Sequence, residues 1–230
     1  YLQVSEMSEN IKKDLAQAKK NYQSKKYEDA KDLYESIYMD HPEAFTIWDK
    51  RFYSWALYQL HVKNPEDETE LFEAVDLITQ LVPQEDHSEK DGVCAYTMSM
   101  MKLLDYLYKN KDYENIIIWS EKLNPDYLSK KTSTFTTDDG REVKLASNKE
   151  KYYNWLSKSY QEVEDYDECL SVSKKAFEEL DQFTNNSDIW FKWRIARSCR
   201  ELGEYDEAIE YRNDIYRFKK DWFVQWEIAE

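Results

Sequence analysis

The chain has 230 residues, with 32 basic and 47 acidic side chains and a formal net charge of −15. Its 8 Trp, 19 Tyr and 9 Phe stand against 3 Gly and 4 Pro, too few turn formers for a β-sandwich or a Gly-rich nucleotide fold, and that much aromatic surface excludes disorder. No apolar run approaches the ~20 residues of a membrane-spanning helix, no basic and apolar leader opens the chain, and the acidic balance disfavours nonspecific contact with nucleic-acid backbones. The first residue is Tyr1 rather than Met, which points to a removed upstream segment. Cys94, Cys169 and Cys199 are widely spaced and never form a C-x-x-C pair, so they supply neither a disulfide framework nor a zinc set. They read as buried free thiols in a reducing, cytoplasmic compartment.

In chain order the helix-period segments come in pairs. The first unit, approximately 8–43, joins NIKKDLAQAKKNYQS to KKYEDAKDLYESIYMDHPE. The second, 44–83, joins FTIWDKRFYSWALYQLHV to ELFEAVDLITQLV through the acidic turn KNPEDET. The third, 92–128, joins VCAYTMSMMKLLDYLYK to NKDYENIIIWSEKLNPD. Residues 132–146, TSTFTTDDGREVKLA, break the helical period, and the alternating Thr/Phe run and DDG turn predict a short β-hairpin. The fourth unit, 148–183, and the fifth, 187–220, restore the pairing, and 221–230 begin another first helix, which predicts a continuing chain.

Tyr27, Tyr113, Tyr166 and Tyr205 open the second helix of their units, and Ala30, Ile116, Cys169 and Ala208 follow three places later. One helical turn puts each pair on one face, where the ring braces the crossing and the smaller residue permits close approach. Ala18, Tyr27, Ala30, Tyr34 and Pro42 in the first unit, and Ala196, Gly203, Tyr205 and Ala208 in the fifth, carry a resemblance to the tetratricopeptide repeat (TPR). Trp48 and Trp226 stand where the next unit's opening aromatic falls. Phe52, Leu104 and Ser120 depart from the pattern and predict altered packing in units two and three. The resemblance implies an all-α fold, a right-handed TPR-like α-solenoid of about five helix pairs with a hairpin insertion, in a single array over 1–230. A narrower resemblance, at DIWFKWRIARSCRELGEYDEAIEY and KKDWFVQWEIAE, is to TPR regions of prokaryotic conflict-system proteins that carry a cold-shock/S1-like domain. It implies a nucleic-acid-binding neighbour outside this chain.

No catalytic or cofactor constellation is legible. Gly92, Gly140 and Gly203 stand alone, and His41, His61 and His87 lie at turns or helix ends with no i,i+4 metal pairing, so they read as solvated. The expectation is a protein that is not an enzyme and takes neither cofactor nor metal. The stretch 63–91 carries net −8 and reads as a solvated face, or as a docking surface for a basic partner.

The first helix of each TPR unit is expected to line a groove. Its stripe reads Lys12, Leu15, Lys19, Tyr22 in unit one and Thr46, Asp49, Tyr53, Ala56 in unit two. Units three to five give Met98, Met101, Asp105, Tyr108; then Lys151, Asn154, Lys158, Gln161; then Trp190, Trp193, Arg197, Arg200. Residues 187–200 hold Lys192, Arg194, Arg197 and Arg200 against Asp188 alone. That concentration of cations points to an acidic ligand, with the tryptophans as anchors. Equally open is a reading in which the tryptophans are core and the arginines pair with neighbouring glutamates. TPR grooves often grip a peptide's C-terminal carboxylate with Lys and Asn, a pattern matched only in part by Lys151, Asn154, Lys158, Arg194 and Arg197. The candidate partner-binding residues are therefore Lys151, Asn154, Lys158, Trp190, Trp193, Arg194, Arg197 and Arg200. The expected function is a noncatalytic protein-interaction scaffold for an acidic or C-terminal peptide. The alternative is the TPR module of a nucleic-acid-associated defence protein, and a third reading is self-association through the apolar face of 222–229.

Overall fold

The structure is a computed structural model that describes residues 2–89 and 92–218, with side chains over 9–89 and 92–217. The expected terminal helix at 221–230, with Trp226 and the apolar face of 222–229, lies outside the described residues. The chain divides into two compact units, Tyr1–Glu85 with Gly92–Leu103, and Asp86–Asp91 with Leu104–Glu230.

The first unit contains α1 (Leu2–Gln23), α2 (Tyr27–Asp40), α3 (Ile47–Leu57) and α4 (Glu68–Leu81), and α5 (Ala95–Lys109) begins in it. Helices α1 and α2 pack as a pair, and α3 lies against both. Leu15, Ala18, Ala30, Tyr34 and Ile37 are buried there, so the small residues at the crossing do admit close approach. Phe52, the large residue at a position where TPR units carry a small one, is accommodated against Tyr22, their ring centroids 5.3 Å apart. Thr46 starts α3 with a capping box, its hydroxyl accepting from the Asp49 N–H while Asp49 accepts from the Thr46 N–H. A π-helical turn, Tyr58–Val62, ends α3. It closes with the Lys63 N–H donating to the Tyr58 carbonyl at 2.8 Å.

The second unit contains the end of α5, then α6 (Tyr113–Ser120), α7 (Asn148–Glu162), α8 (Tyr166–Glu179), α9 (Ser187–Glu201) and α10 (Tyr205–Phe218). Each helix packs on the next from α6 to α7, α7 to α8, α8 to α9 and α9 to α10, although the hairpin separates α6 from α7 in the chain. The packing of α7 on α9 makes consecutive pairs stack first helix on first helix, as TPR-like pairs do. Ile195, Cys199 and Ala208 form a buried cluster, with Leu170, Phe177 and Tyr211 packed against it. The anchoring tyrosines are less sheltered than the pattern suggests: Tyr27, Tyr113 and Tyr166 are half-buried and Tyr205 is exposed.

Four turns between paired helices are built alike. Lys25, Lys111, Glu164 and Gly203 all adopt positive φ, from 58° to 83°, two residues before their tyrosine. Each turn carries the same two bonds, the second running from the next N–H back to the carbonyl five residues earlier, as in Glu204 N–H to Cys199 O at 2.8 Å. This left-handed stop reverses the chain in three residues and sets the antiparallel pairing.

The hairpin forms where expected, with β1 (Ser133–Thr136) paired antiparallel to β2 (Glu142–Leu145). The Gly140 N–H donates to the Thr137 carbonyl at 2.8 Å and the Thr137 N–H to Arg141 O at 2.9 Å. Gly140 at φ +81° supplies the left-handed residue that this three-residue loop requires. The architecture is all-α TPR-like helix pairing with a hairpin insertion. Among the described residues, no helix is long and apolar enough to cross a membrane.

Candidate functional site

In the second unit, α7 and α9 run side by side and close a cleft of about 370 Å³ with the end of α5. Its walls are Tyr108 from α5, Asn154, Lys158 and Gln161 from α7, and Trp190, Trp193, Arg194 and Arg197 from α9. The structure thus brings together six of the eight candidate residues, and leaves Lys151 and Arg200 out of the lining. Tyr108 and Gln161 join them from the same helical stripes.

The starts of both flanking helices are fixed by side chains at or near the beginning of α7. Ser147 caps α7 itself, accepting from the Glu150 N–H at 3.1 Å. Helix α9 starts from Asn186 at φ 57°, whose side chain makes no capping bond. The Glu150 carboxylate, only 2% exposed, takes over from a distance in sequence. Its Oε1 accepts from Thr184 N–H at 3.0 Å, Thr184 Oγ1 at 2.9 Å and Ser187 Oγ at 2.5 Å. Lys149 and Tyr153 make a second tie, donating to Glu179 Oε2 at 2.8 and 2.7 Å.

Arg194 differs in kind from a ligand-binding fork. It is 5% exposed, and its Nη1 donates to Asn154 Oδ1 at 2.8 Å and Ser157 Oγ at 3.1 Å. The guanidinium also sits 5.5 Å from the Phe191 ring centroid. Among the described residues no carboxylate pairs with it, and burial pushes its pKa down. Its hydrogen bonds go to neutral acceptors, and the Glu162 carboxylate adds a favourable charge without an ion pair. Arg197 is half-buried, and its Nε is buried without a hydrogen-bond partner among the described residues. Lys158 pairs with Glu162 along α7, Arg200 donates to Glu201 at 2.8 Å, and Lys192 pairs with Asp214 at 2.5 Å. Both readings of the basic helix thus find residues in the structure: Lys192 and Arg200 pair with acids, whereas Arg194 and Arg197 make no ion pair among the described residues. Trp190 is 48% exposed and Trp193 half-buried, so neither tryptophan is core.

A second cleft, of about 350 Å³ in the first unit, was not singled out by sequence. Trp48, Phe52 and Trp55 line it from α3, with Tyr22, Val82 and Pro83 opposite. Arg51 lies 4.8 Å from the Trp48 ring centroid and pairs with Glu85 at 2.8 Å. The spacing 48, 52, 55 on one helix face is the signal that locates it.

The histidines are less solvated than expected. His61 Nδ1 is 2.9 Å from Glu70 and His41 Nδ1 3.4 Å from Glu43, while His87 Nε2 is buried without a partner among the described residues. Cys94, Cys169 and Cys199 are free and buried. Cys199, Glu204 and Glu207 lie close enough to share an ion. Burial pushes the Cys199 thiol up to about 12, and Glu207 is engaged by Lys174 at 2.7 Å, so the donor set is poorly prepared for a metal.

No protein-family model matches the chain, and no curated protein matches it. Solved structures do. A crystal structure of MamA protein is 12% identical, with a TM-score of 0.41 over 91% of this chain and 91% of that one. A structure of MamA AMB-1 is 13% identical, with a TM-score of 0.44 over 96% and 98%. A Podosopora anserina protein of nearly identical TPR-like repeats is 13% identical, with a TM-score of 0.35 over 96% and 97%.

Proposed function

We propose that the chain is a noncatalytic protein-interaction scaffold whose cleft between α7 and α9 takes an anionic segment of a partner, acidic or C-terminal. The observation that carries this reading is Arg197, half-buried in the cleft wall with a buried Nε that meets no partner among the described residues, beside the exposed Trp190. A guanidinium that lines a cleft binds a carboxylate directionally, and a neighbouring indole supplies apolar contact for the residue that carries the anion. Lys151 and Arg200, outside the lining, act in this reading as a flanking field only. The five helix pairs, approximately 8–43, 44–83, 92–128, 148–183 and 187–220, are read as the repeat units of one array. Three free buried thiols support placement in a reducing, cytoplasmic compartment.

The test is a display screen of acidic and C-terminal peptides, followed by titration of the selected peptide against wild type, Trp190→Ala and Arg197→Gln, reading tryptophan fluorescence. Binding that weakens roughly tenfold or more in each variant and survives moderate salt supports the reading. If nothing is selected, or if both variants bind like wild type, it fails. Retention of RNA or DNA with affinity that collapses as salt rises would instead favour the nucleic-acid-associated alternative.

A further inference from the structure

The two clefts occupy the same place in the repeat. One constant shift in numbering carries the buried Tyr53, Ser54, Ala56 and Leu57 of α3 onto the buried Ile195, Ala196, Ser198 and Cys199 of α9. The same shift carries the α3 residues that line the first-unit cleft, Trp48, Arg51, Phe52 and Trp55, onto Trp190, Trp193, Arg194 and Arg197. The opposite walls agree as well. Counted back from the left-handed residues Lys25 and Glu164, Tyr22 of α1 falls on Gln161 of α7, and Lys19 on Lys158.

Equivalent positions hold opposite chemistry. Where α9 sets the guanidiniums of Arg194 and Arg197, α3 sets the rings of Phe52 and Trp55, and Tyr22 replaces Gln161. Tyr22 is held between Phe52 and Tyr27, with ring centroids 5.3 and 5.6 Å away, so the aromatic wall is formed before anything binds. Trp48, also in the lining, is 61% exposed. The charges differ too, and the aligned residues explain why. Lys158 is neutralised by Glu162 one turn on, but the residue aligned with Glu162 is Gln23. Lys19 makes no ion pair among the described residues, and its ammonium stands 5.3 Å from the Phe52 ring centroid. Arg51 and Glu85, the charged pair in the lining, already engage each other at 2.8 Å.

We propose that the first-unit cleft is a second docking site, for a partner segment in which a large apolar side chain stands next to a carboxylate. The apolar side chain enters between Trp48 and Trp55, which lie about two turns apart on one face of α3. The carboxylate meets Lys19, the local cation without a counter-charge. Charge complementarity sets the flanking residue: Arg51 and Glu85 cancel, and Lys19 is left to attract an acid and repel a base. The acids of 63–91 do not reverse this, because Glu85 is the member of that stretch in the lining and Arg51 engages it. The site stands apart from the cleft between α7 and α9, which lies in the other unit. Where that cleft reads charge first, this one reads apolar surface first.

The test is NMR of the isotope-labelled full chain, reading the indole N–H signals of Trp48 and Trp55, assigned with Trp48→Phe and Trp55→Phe. The probes are capped peptides carrying Asp-Leu-Asp, Lys-Leu-Lys or Asp-Gly-Asp between terminal glycines. Asp-Leu-Asp moves both signals with a dissociation constant of about 1 mM, and the other two bind roughly fivefold or more weakly. Trp48→Ala, at an exposed position, weakens the Asp-Leu-Asp probe roughly fivefold or more, read at Trp55. Lys19→Glu weakens it roughly threefold or more, whereas Lys20→Glu, the same change of net charge one position along, leaves it within about twofold. Each titration is repeated in Arg197→Gln, which disables the other cleft, so failure of one site is read apart from failure of the other. Unchanged binding in that variant supports the proposal. No movement of the Trp48 and Trp55 signals up to about 10 mM probe overturns it. So do equal affinities for the three probes, or equal effects of Lys19→Glu and Lys20→Glu.

Discussion

Lys25, Lys111 and Glu164 occupy the left-handed position that Gly203 fills in the last helix turn. A side chain there costs roughly 1 kcal/mol relative to Gly. Replacing any of the three by Gly is therefore expected to stabilise the protein by about 0.5–1 kcal/mol, and urea unfolding of the single and triple variants checks it. The sequence shows the four tyrosines that follow these turns, but Lys and Glu do not announce positive φ; only the likeness of the turns to the one with Gly203 does. Glu179 offers a pH test. Burial opposes its charge, yet bonds from Lys149 and Tyr153 outweigh this and hold its pKa below the usual glutamate value of about 4.3. A depressed folded pKa means its stabilisation is complete above the unfolded value and is lost as pH falls through the folded one. Glu179→Gln should cost about 1–2 kcal/mol at pH 7, because buried Lys149 loses its counter-charge. The difference from wild type should shrink in the same unfolding assay as pH falls below about 4.3 and on through the depressed folded value.

Helix α9 carries the cleft on one face and core on the other. Phe191, Ile195 and Cys199 are buried, and Phe191→Ala should cost about 3–5 kcal/mol in thermal or urea unfolding through the cavity it leaves. Arg194 lies between these two faces. Arg194→Met keeps the packing volume and relieves a desolvated charge, so unfolding free energy should stay within about 1 kcal/mol of wild type, as urea unfolding checks. The 3,4,3 spacing makes Asn154, Lys158, Gln161, Arg197 and the tryptophans legible, whereas Arg194 stands out only through the cationic run 187–200. The burial of Arg194 is not legible, because it depends on Asn154 and Ser157 approaching from α7, about forty residues earlier in the chain. The cleft under Trp48 and Trp55 was missed for a related reason: its other wall, Val82 and Pro83, comes from beyond α4.

At the scale of the whole molecule the charge of −15 sets the response to salt. Most ion pairs here are exposed and worth little, whereas self-repulsion acts over the entire surface. Raising ionic strength from about 0.01 to 0.15 M shortens the screening length from roughly 30 to 8 Å and should raise the melting temperature measured by calorimetry or circular dichroism. Opposite behaviour would mean that the local pairs dominate. The helix order and hairpin of this molecule could be read from period and turn residues alone, since both are local. What could not be read is the one carboxylate, Glu150, that ties the loop entering α9. Because α9 borrows that anchor from α7, the three bonds to Glu150 are made only where α7 is in place. In a one-dimensional array this is a coupling term between neighbouring pairs, and it stabilises each by the same amount. A repeat pair built this way is more stable beside its neighbour than alone.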